Sequence, residues 1–337
     1  MTNNNRSRAT RRVTVLDVGH GSCSIIESGE WVVVVDGGLG ASLLYYLEQQ
    51  EIEAIDCVLL SHSDADHIGG VVALLSSGKV TVREVRLNPD GTQHSKTWDD
   101  LVYELHCQQK RAKLVFETTL TSSNPGSFTC GDLTLQIAGP SSYLATKSPG
   151  GTTRSGARVR SNSVSAVVRV VFEGRSVVLL TGDVDDVGFR EMVTDQVQLS
   201  AEVLVFPHHG GGLPSEDVLN FTKEICEAVR PTTVLFSIGR DNRYWTPKPE
   251  VVEQIRKTLE RVRVACTELS VHCSVGIPQT PAKHLNGVYA RGRADGKCCA
   301  GSVLLEIGDV TSVVPTVANH GAFIATAVAT PLCGLRR

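Results

Sequence analysis

The segment 62–67 contains four side chains that can bind a metal ion within six residues. They are His62, Asp64, Asp66 and His67. Imidazole and carboxylate ligands at this density suit Zn²⁺, Mn²⁺ or Fe, and not a Ca²⁺ site built only from oxygen atoms. The apolar run at 57–60 predicts a buried strand, and ligands at the end of such a strand are held rigidly. The alternative interpretation is a solvated acidic turn that happens to hold two histidines.

More candidate ligands follow two later apolar runs. Asp183 comes after the run at 176–181, and the pair His208-His209 comes after the run at 203–206. Two neighbouring divalent ions need about six such ligands, and they would lower the pKa of a water molecule and hold the oxygens of the group under attack. A bent turn at 62–67 would direct all four of its ligands at one centre.

The elements that position these residues are strands first and then strands alternating with helices. Period-two alternation and short apolar runs predict the strands, and apolar residues at helical spacing predict the helices. The predicted strands are 12–17, 23–27, 31–35, 57–60, 80–87, 114–117, 133–137, 164–172, 176–181, 203–206, 233–237 and 300–309. The predicted helices are 41–50, 69–77, 98–111, 186–195, 215–229 and 248–260. This order predicts an α+β fold with two mixed sheets covered by helices, a four-layered αββα sandwich.

Composition excludes few classes of function. The chain has 337 residues, 41% hydrophobic and 20% charged, with a net charge of −3 that gives no global argument for nucleic-acid binding. No apolar stretch approaches the roughly 18 residues of a membrane helix. Residues 1–11 are polar and basic without the apolar core of a secretory signal, so we expect a disordered arm and a cytoplasmic protein. We place a main domain at 12–267 and a C-terminal extension, packed on the core, at 268–337.

Ten cysteines are present, and a reducing cytosol favours thiols or metal sites over disulfides. Four of them cluster late in the chain: Cys266, Cys273, Cys298 and Cys299. Two interpretations of these cysteines stay open, a structural zinc site and free thiols in the core, because the spacing lacks a Cys-x-x-Cys pair. The apolar stretch at 313–333 allows a closing strand or an oligomer contact.

The segment 146–161 is rich in Gly, Ser and Thr and predicts a mobile loop. It contains Arg154, Arg158 and Arg160 and no acidic residue. One interpretation is contact with a phosphate backbone, since basic side chains gain affinity by releasing counterions. The other is a flexible solvated loop. Aromatic residues do not interleave with the basic ones, so the sequence does not indicate base stacking.

The sequence His62-x-Asp-x-Asp-His67, followed by Gly69-Gly70, resembles the signature of the metallo-β-lactamase superfamily, in which most members have His at the place of Asp64. The Asp variant, together with motifs at 17–21, 35–38, 162–165, 180–183, 207–210 and 242–247, resembles the hydrolase domain of ComEC-type DNA-uptake proteins. The resemblance covers about residues 12–267, with the motifs in the same order.

The resemblance implies roles for residues of this chain. Two divalent ions, Zn or Mn, would be held by His62, Asp64, Asp66, His67, Asp183 and His208. Asp36 and Asp17 would lie behind these ligands and orient them. Substrate contact or catalysis would involve Asp66, His209, Asn162, Ser165, His20, Asn242 and Tyr244. His20 replaces the glutamine that is usual in ComEC-type sequences, and Asn162 and Ser165 stand where many members supply another histidine. These two would bind substrate oxygens or complete the coordination of one metal.

The sequence predicts a metal-dependent hydrolase. The preferred hypothesis is a phosphodiesterase or nuclease that acts on DNA or nucleotides through a metal-activated hydroxide. Two alternatives stay open. One is hydrolysis of a small ester, amide or lactone, and the other is a metal-binding effector subunit that is active only with a partner. We expect a nucleic acid or nucleotide as substrate, no membrane, and a partner protein or a homo-oligomer as a further option. A β-lactamase in the antibiotic sense is not expected.

Overall fold

The structure is a computed structural model that describes residues 11–124, 126, 128–212, 217–278 and 282–333. The strands, β1 to β17, are Arg11–Val15, Ser24–Ser28, Trp31–Val35, Ala54–Ile55, Cys57–Leu59, Thr81–Val82, Glu84–Arg86, Val115–Glu117, Thr129–Cys130, Leu133–Gly139, Val167–Phe172, Arg175–Leu180, Val203–Val205, Thr233–Phe236, Arg263–Cys266, Val303–Glu306 and Ser312–Val314. The α-helices, α1 to α8, are Ser42–Gln49, Ala65–Ser77, Lys96–Lys110, Ser142–Lys147, Asp186–Thr194, Val218–Val229, Pro249–Thr258 and Val317–Ala327. Short 3₁₀ helices lie at Asn162–Val164, Pro207–Gly210 and Arg291–Arg293.

Two large mixed sheets form the centre of the molecule. The first has eight strands in the order β17-β16-β1-β2-β3-β5-β7-β8, and the second has seven in the order β15-β14-β13-β12-β11-β10-β9. In the first sheet, β3, β5, β7 and β8 are parallel neighbours. In the second, β12 to β15 are parallel neighbours. Each sheet therefore has an antiparallel half and a parallel half.

Three apolar clusters fill the spaces between the layers and pack them together. One is made of side chains from both sheets, such as Val33 and Val170, and fills the space between them. A second joins the outer face of the first sheet to α1, α2 and α3, with Leu43 and Leu74 among its members. The third joins the outer face of the second sheet to α5, α6, α7 and α8. The layering is helix, sheet, sheet, helix, so the predicted four-layered αββα sandwich is confirmed.

The C-terminal segment belongs to both halves of this sandwich. Strand β16 pairs with β1 and β17 pairs with β16, so the segment extends the first sheet. Helix α8 packs on the second sheet through Phe323 and Ile324. The stretch at 313–333 is part strand and part helix, because residues 313 and 314 end the edge strand β17 and Val317–Ala327 form α8. Thr316 caps α8 by accepting a hydrogen bond from the Asn319 amide. Strand β1 begins at Arg11, the last residue of the predicted arm, and residues 1–10 lie outside the described residues.

The parallel strands end at one edge of the sandwich, where ligands bind in open α/β sheets. Backbone contact between two glycine pairs brings the loop after β3 against the start of α2. The Gly37 amide donates to the His67 carbonyl at 2.7 Å, and the Gly70 amide donates to the Gly38 carbonyl at 2.8 Å. A Cβ atom on Gly70 would lie 2.0 Å from the Gly37 carbonyl oxygen. Glycine is therefore required for this approach.

In the described part of the chain, no helix has the length and apolar character that crossing a membrane requires.

Gly70→Ala should lower the free energy of unfolding by about 1–3 kcal/mol, because the added methyl group forces the two backbone segments apart. Gly321→Ala is the matched control, since Gly321 also lies in a helix but has no atom within 4 Å of an added Cβ. We expect that change to be neutral or stabilising by about 0.5–1 kcal/mol. Urea denaturation of both variants checks this, and equal stability of the two variants would contradict the packing argument.

Candidate metal centre

The motif at 62–67 is divided between a loop and a helix. His62 lies in the loop that follows β5, and α2 begins at Ala65 with Asp64 as its extended N-cap residue. Asp66 and His67 are therefore on the first turn of the helix. The structure divides these residues between two groups, because His62 and His67 lie with Asp183 and Asp66 lies with His20 and His209. The bent-turn hypothesis placed all four ligands at one centre.

The first candidate metal cluster contains His62, His67 and Asp183. Their ligand atoms lie within 4.8 Å of one another, and all three residues are buried. The His67 Nε2 atom is 3.4 Å from Asp183 Oδ1. Asp64 stands beside this cluster, with Oδ2 3.5 Å from His62 Nε2 and with Oδ1 accepting a hydrogen bond from Gln93. Strand ends of both sheets therefore contribute to the cluster.

The second candidate metal cluster contains His20, Asp66 and His209, whose ligand atoms also lie within 4.8 Å of one another. Asp66 Oδ2 is 3.3 Å from the Nε2 atom of His20 and 3.3 Å from that of His209. Asp183 connects the two clusters, because its Oδ1 atom is 3.7 Å from His209 Nε2. The resemblance implies a substrate or catalytic role for His20 and His209, and the structure groups both with Asp66.

His208 faces the carboxylate that connects the clusters. Its amide donates to Asp183 Oδ1 at 3.1 Å, and its Nδ1 atom is 3.6 Å from Asp183 Oδ2. His208 and His209 both have positive φ, at 51° and 56°, and so does Asp36 at 59°. Residues other than glycine rarely adopt this conformation, and such strain concentrates at functional sites.

The residues present fit a divalent metal ion. The Nε2 atoms of His62, His67, His208 and His209 are buried and have no hydrogen-bond partner among the described residues. A buried polar atom without a partner is costly, and four of them converge here beside carboxylates. Nitrogen and carboxylate oxygen are the donor set that Zn²⁺ and Mn²⁺ accept.

Hydrogen bonds behind the ligands orient the imidazole rings. The Asp36 carboxylate accepts from His67 Nδ1 at 2.8 Å and from the Ser61 hydroxyl at 2.8 Å. His209 Nδ1 donates to the Ser237 carbonyl at 2.7 Å. Each contact puts the proton on Nδ1 and leaves Nε2 as the ligand atom. Asp36 therefore has the orienting position that the resemblance implied, while Ser61 and Ser237 carried no signal in the sequence.

Charge compensation within the centre shifts the pKa values of its histidines. Burial lowers the pKa of His67, but the charges of Asp183 and Asp36 outweigh burial and hold this pKa well above its ordinary value. Burial also lowers the pKa of His209, and Asp183 and Asp66 again raise it above the ordinary value. Without a cation, the carboxylates are thus neutralised by protons on these two histidines.

Other titratable groups of the centre have lowered pKa values. Burial raises the pKa of Asp66, but the close contact with His209 and the charges of His67 and His209 together outweigh burial and keep the carboxyl ionised. The pKa of Asp183 is also lowered, since the neighbouring histidines more than offset its burial. Burial and the charge of His209 lower the pKa of His20 to about 4, so His20 is neutral at neutral pH. Burial lowers the pKa of His208 as well.

Two residues with predicted roles point away from the centre. Ser165 is fully buried, and its hydroxyl accepts a hydrogen bond from the Asp183 amide at 3.1 Å. It therefore positions Asp183 and does not face a substrate. Asp17 accepts from the Gly19 and Gly292 amides at 3.0 Å each, so it holds the turn that carries His20 and contacts no candidate ligand.

A cleft of about 1040 Å³ opens above the two clusters. Asn162 lines it, with its Nδ2 atom 3.5 Å from His208 Nδ1. Asn242 also lines it, but its side-chain oxygen Oδ1 accepts from the Tyr244 amide at 3.0 Å, so it organises the loop at the rim. The Tyr244 ring is exposed, and its centroid is 5.5 Å from that of His20. Trp245, also exposed, completes an aromatic rim that the sequence did not indicate.

Basic residues at the cleft differ from those predicted. Arg243 and Lys248 line the cleft, whereas Arg154, Arg158 and Arg160 are not among its described lining residues. The segment at 146–161 is not an irregular loop, since Gly150 and Gly151 exchange hydrogen bonds with Val159 as in a hairpin. Arg154 and Arg158 are exposed on it. These rim residues lie in or next to the motif at 242–247, for which the resemblance implied substrate contact by Asn242 and Tyr244 only.

The predicted zinc quartet is not assembled. The Cys298 thiol contacts Asp17 Oδ2 at 3.4 Å, away from the other thiols of the set. The sulfur atom of Cys299 lies instead beside Cys333 and His320. Cys298 forms a bridge with Glu268 and Cys299 lies in the bend that follows, and their thiols contact different groups.

Comparisons with known proteins agree with the motifs. Residues 16–106 match the metallo-beta-lactamase superfamily. The chain is 24% identical over 270 residues to Competence protein ComA of Neisseria gonorrhoeae, and this alignment covers 79% of this chain and 32% of that protein. It is 26% identical over 259 residues to Recombination protein 2 of Haemophilus influenzae, which covers 74% of this chain and 27% of that protein. The chain thus spans about a quarter to a third of the length of these relatives.

Among solved structures, the metallo-beta-lactamase fold protein YhfI of Bacillus subtilis is similar, with a TM-score of 0.47 and 13% identity, over 78% of this chain and 98% of that chain. The family match and the curated relatives confirm the predicted resemblance to the superfamily and to competence proteins. They support a metal-dependent hydrolase, and they specify neither its metal nor its substrate.

Asp36→Asn should lower the affinity for Zn²⁺ or Mn²⁺ by about 10–100-fold, because loss of the orienting carboxylate frees the His67 ring. Competition with a chelating dye measures this affinity. Asp309→Asn, a change at an exposed residue outside the centre, is the control and should have no effect. An unchanged affinity in Asp36→Asn would show that the ring needs no such orientation.

Metal affinity should rise with pH. The raised pKa values of His67 and His209 mean that both rings are protonated in the metal-free centre, so a binding cation must displace about two protons. The advantage of the metal therefore increases as the pH rises toward these pKa values. Calorimetric titration in buffers of different ionisation enthalpy measures the protons released, and a release near zero would contradict the protonated state.

Proposed function

We propose that this chain is a phosphodiesterase that hydrolyses DNA or nucleotides and depends on two divalent ions, Zn or Mn. The observation that carries the proposal is the combination within one cleft of a histidine and carboxylate centre with a basic and aromatic rim. The centre provides for hydrolysis, and the rim provides for an anionic substrate with bases.

The ligands of the two ions follow from the two clusters. His62, His67 and Asp64 would hold one ion, and Asp66, His209 and His20 the other. Asp183 would serve both, with His208 beside it. Divalent ions at these positions would make water more acidic and neutralise charge on the phosphoryl oxygens. We assign His20 to the ligands and not to proton transfer, because its pKa of about 4 keeps it neutral.

The charge of the rim favours a phosphate ester over a neutral ester or lactone. Arg243 and Lys248 line the cleft and attract an anion. Outside the centre, the described lining of the cleft includes the acidic residue Asp241, whose carboxylate is paired with Lys297 at 2.8 Å. Arg243 and Lys248 would therefore present positive charge to an anionic substrate at the rim.

Polar and aromatic groups at the cleft suit the remaining parts of such a substrate. Asn162 can donate its amide hydrogens to a phosphoryl oxygen near His208. Tyr244 and Trp245 are 48% and 60% exposed, and flat rings at a rim can stack on bases at about 1–3 kcal/mol each. The guanidinium of Arg243 lies 4.8 Å from the centroid of the Tyr244 ring, so the basic and aromatic parts of the rim are in contact.

The relatives point to nucleic acid as the substrate class. Their names refer to competence and to recombination. Since this chain spans only part of their length, any shared activity would reside in the matched region. The exposed Arg154 and Arg158 on the neighbouring hairpin would extend the contact with a polynucleotide beyond the cleft.

The metal-loaded chain should cleave labelled single- or double-stranded DNA. Asp66→Ala should reduce the cleavage rate by more than about 10²-fold, because loss of a metal ligand costs more activity than loss of a side chain that only orients a ligand. His208→Ala should have a similar effect. Cleavage products resolved over time, with Mn²⁺, Zn²⁺ and Mg²⁺ compared, provide the measurement.

Rim variants separate substrate binding from the metal centre. Arg243→Ala and Lys248→Ala should weaken DNA binding and reduce its salt dependence while metal content stays unchanged. Lys110→Ala, a change on exposed α3, is the matched charge control. If the fully loaded chain cleaves small esters but neither DNA nor dinucleotides, the proposed function is wrong.

A further inference from the structure

Three buried side chains converge in the C-terminal part of the molecule, far along the chain from the candidate centre. The sulfur atom of Cys299 lies 3.6 Å from that of Cys333 and 3.3 Å from His320 Nε2. The three ligand atoms lie within 4.8 Å of one another, and each residue is at most 3% exposed. We call these three residues the thiol cluster.

The separations match those of metal ligands. With bonds of about 2.3 Å to sulfur and about 2.0–2.1 Å to nitrogen, the ligand atoms of a tetrahedral zinc ion lie about 3.5–3.8 Å apart. The thiol cluster has nearly this spacing. Its two sulfur atoms are free thiols and not a disulfide.

A fourth thiol lies next to the thiol cluster. Cys273 is buried, and its thiol interacts with that of Cys333. The Thr330 amide donates to the Cys273 carbonyl at 3.0 Å, which ties the two segments together beside the sulfur atoms. Cys273 is therefore placed to add a third sulfur atom beside the thiol cluster through its contact with Cys333.

The surroundings suit the charge of such a site. Three thiolates and a neutral imidazole around a divalent ion leave one net negative charge. Arg263 is 5% exposed and lies close enough to Cys299 and Cys333 for electrostatic interaction with both. Its guanidinium would balance the charge from inside the protein, where an unpaired charge is costly.

Three segments of the chain meet at the thiol cluster. Cys273 and Cys299 lie in the irregular chain between β15 and β16, His320 lies on α8, and Cys333 is the last described residue. A metal ion bound there would cross-link these segments, and its binding free energy would add to the stability of the fold.

We propose that Cys273, Cys299, His320 and Cys333 bind a structural Zn²⁺ that fastens α8 and the segment after it to the second sheet. The site is separate from the candidate metal centre, and the proposal does not depend on the proposed function. The proposed ligands differ from the four-cysteine zinc alternative considered from the sequence, because Cys298 contacts Asp17 and because His320 and Cys333 take part.

Cobalt spectroscopy on the full chain tests the proposal. Co²⁺ bound by thiolates has an intense charge-transfer absorption that a centre of nitrogen and oxygen ligands does not produce. We expect this absorption in the Co²⁺-loaded chain and in Asp66→Ala, which alters only the other centre. We expect its loss in Cys299→Ser and in Cys333→Ser. Cys298→Ser is the matched control, because it changes an adjacent buried thiol that contacts Asp17.

A second readout uses the unaltered chain, so that misfolded variants do not decide the matter. Zn²⁺ should protect Cys273, Cys299 and Cys333 from alkylation, and removal of the metal should expose them, as peptide mass spectrometry measures. Zinc removal should also lower Tm. The proposal is overturned if the loaded chain lacks the charge-transfer absorption, if both serine variants keep it, or if Cys299 and Cys333 form a disulfide in chain purified under reducing conditions. Retention of the full absorption in Cys273→Ser, with its loss in Cys266→Ser, would overturn the assignment of the fourth ligand.

Discussion

The hydrogen bonds of the Asp36 carboxylate are the constraint on which the candidate centre depends. This carboxylate accepts from the Ser61 hydroxyl, from the Ser61 amide and from His67 Nδ1, each at 2.8 Å. It thereby joins the end of β3, the end of β5 and the first turn of α2. The close approach of Gly37 and Gly70 allows this arrangement, because no side chain separates the two backbones. Helix and sheet are thus held together at the point where the ligands emerge.

Asp183 has the corresponding role for the second sheet. Its carboxylate lies between His67 and His209 and so couples the two candidate clusters across the interface of the sheets. Several buried ionisable groups are concentrated there, and burial of charge without compensation is strongly unfavourable. Protons on the histidines provide part of the compensation in the metal-free protein. A divalent cation provides it more completely, which links folding of this edge to metal binding.

The sequence predicted the sandwich and most of the candidate ligands because these depend on local patterns. The apolar runs that precede His62, Asp183 and His208 are strands, and each ends at the same edge. The division of the ligands was not predictable from spacing, since α2 begins earlier than the periodicity indicated. The roles of Ser165 and Asp17, the rim residue Trp245 and the thiol cluster depend on contacts between residues distant in sequence, which no local pattern contains.

Anomalous diffraction from crystals of the metal-loaded chain, recorded at the absorption edge of the bound ion, tests the central claim most directly. The account predicts a peak among His62, His67 and Asp183 and a second among His20, Asp66 and His209, each about 2.0–2.3 Å from the imidazole nitrogens. Fully loaded crystals without a peak at bonding distance from these nitrogens would contradict the claim that His62, His67, His20 and His209 are metal ligands.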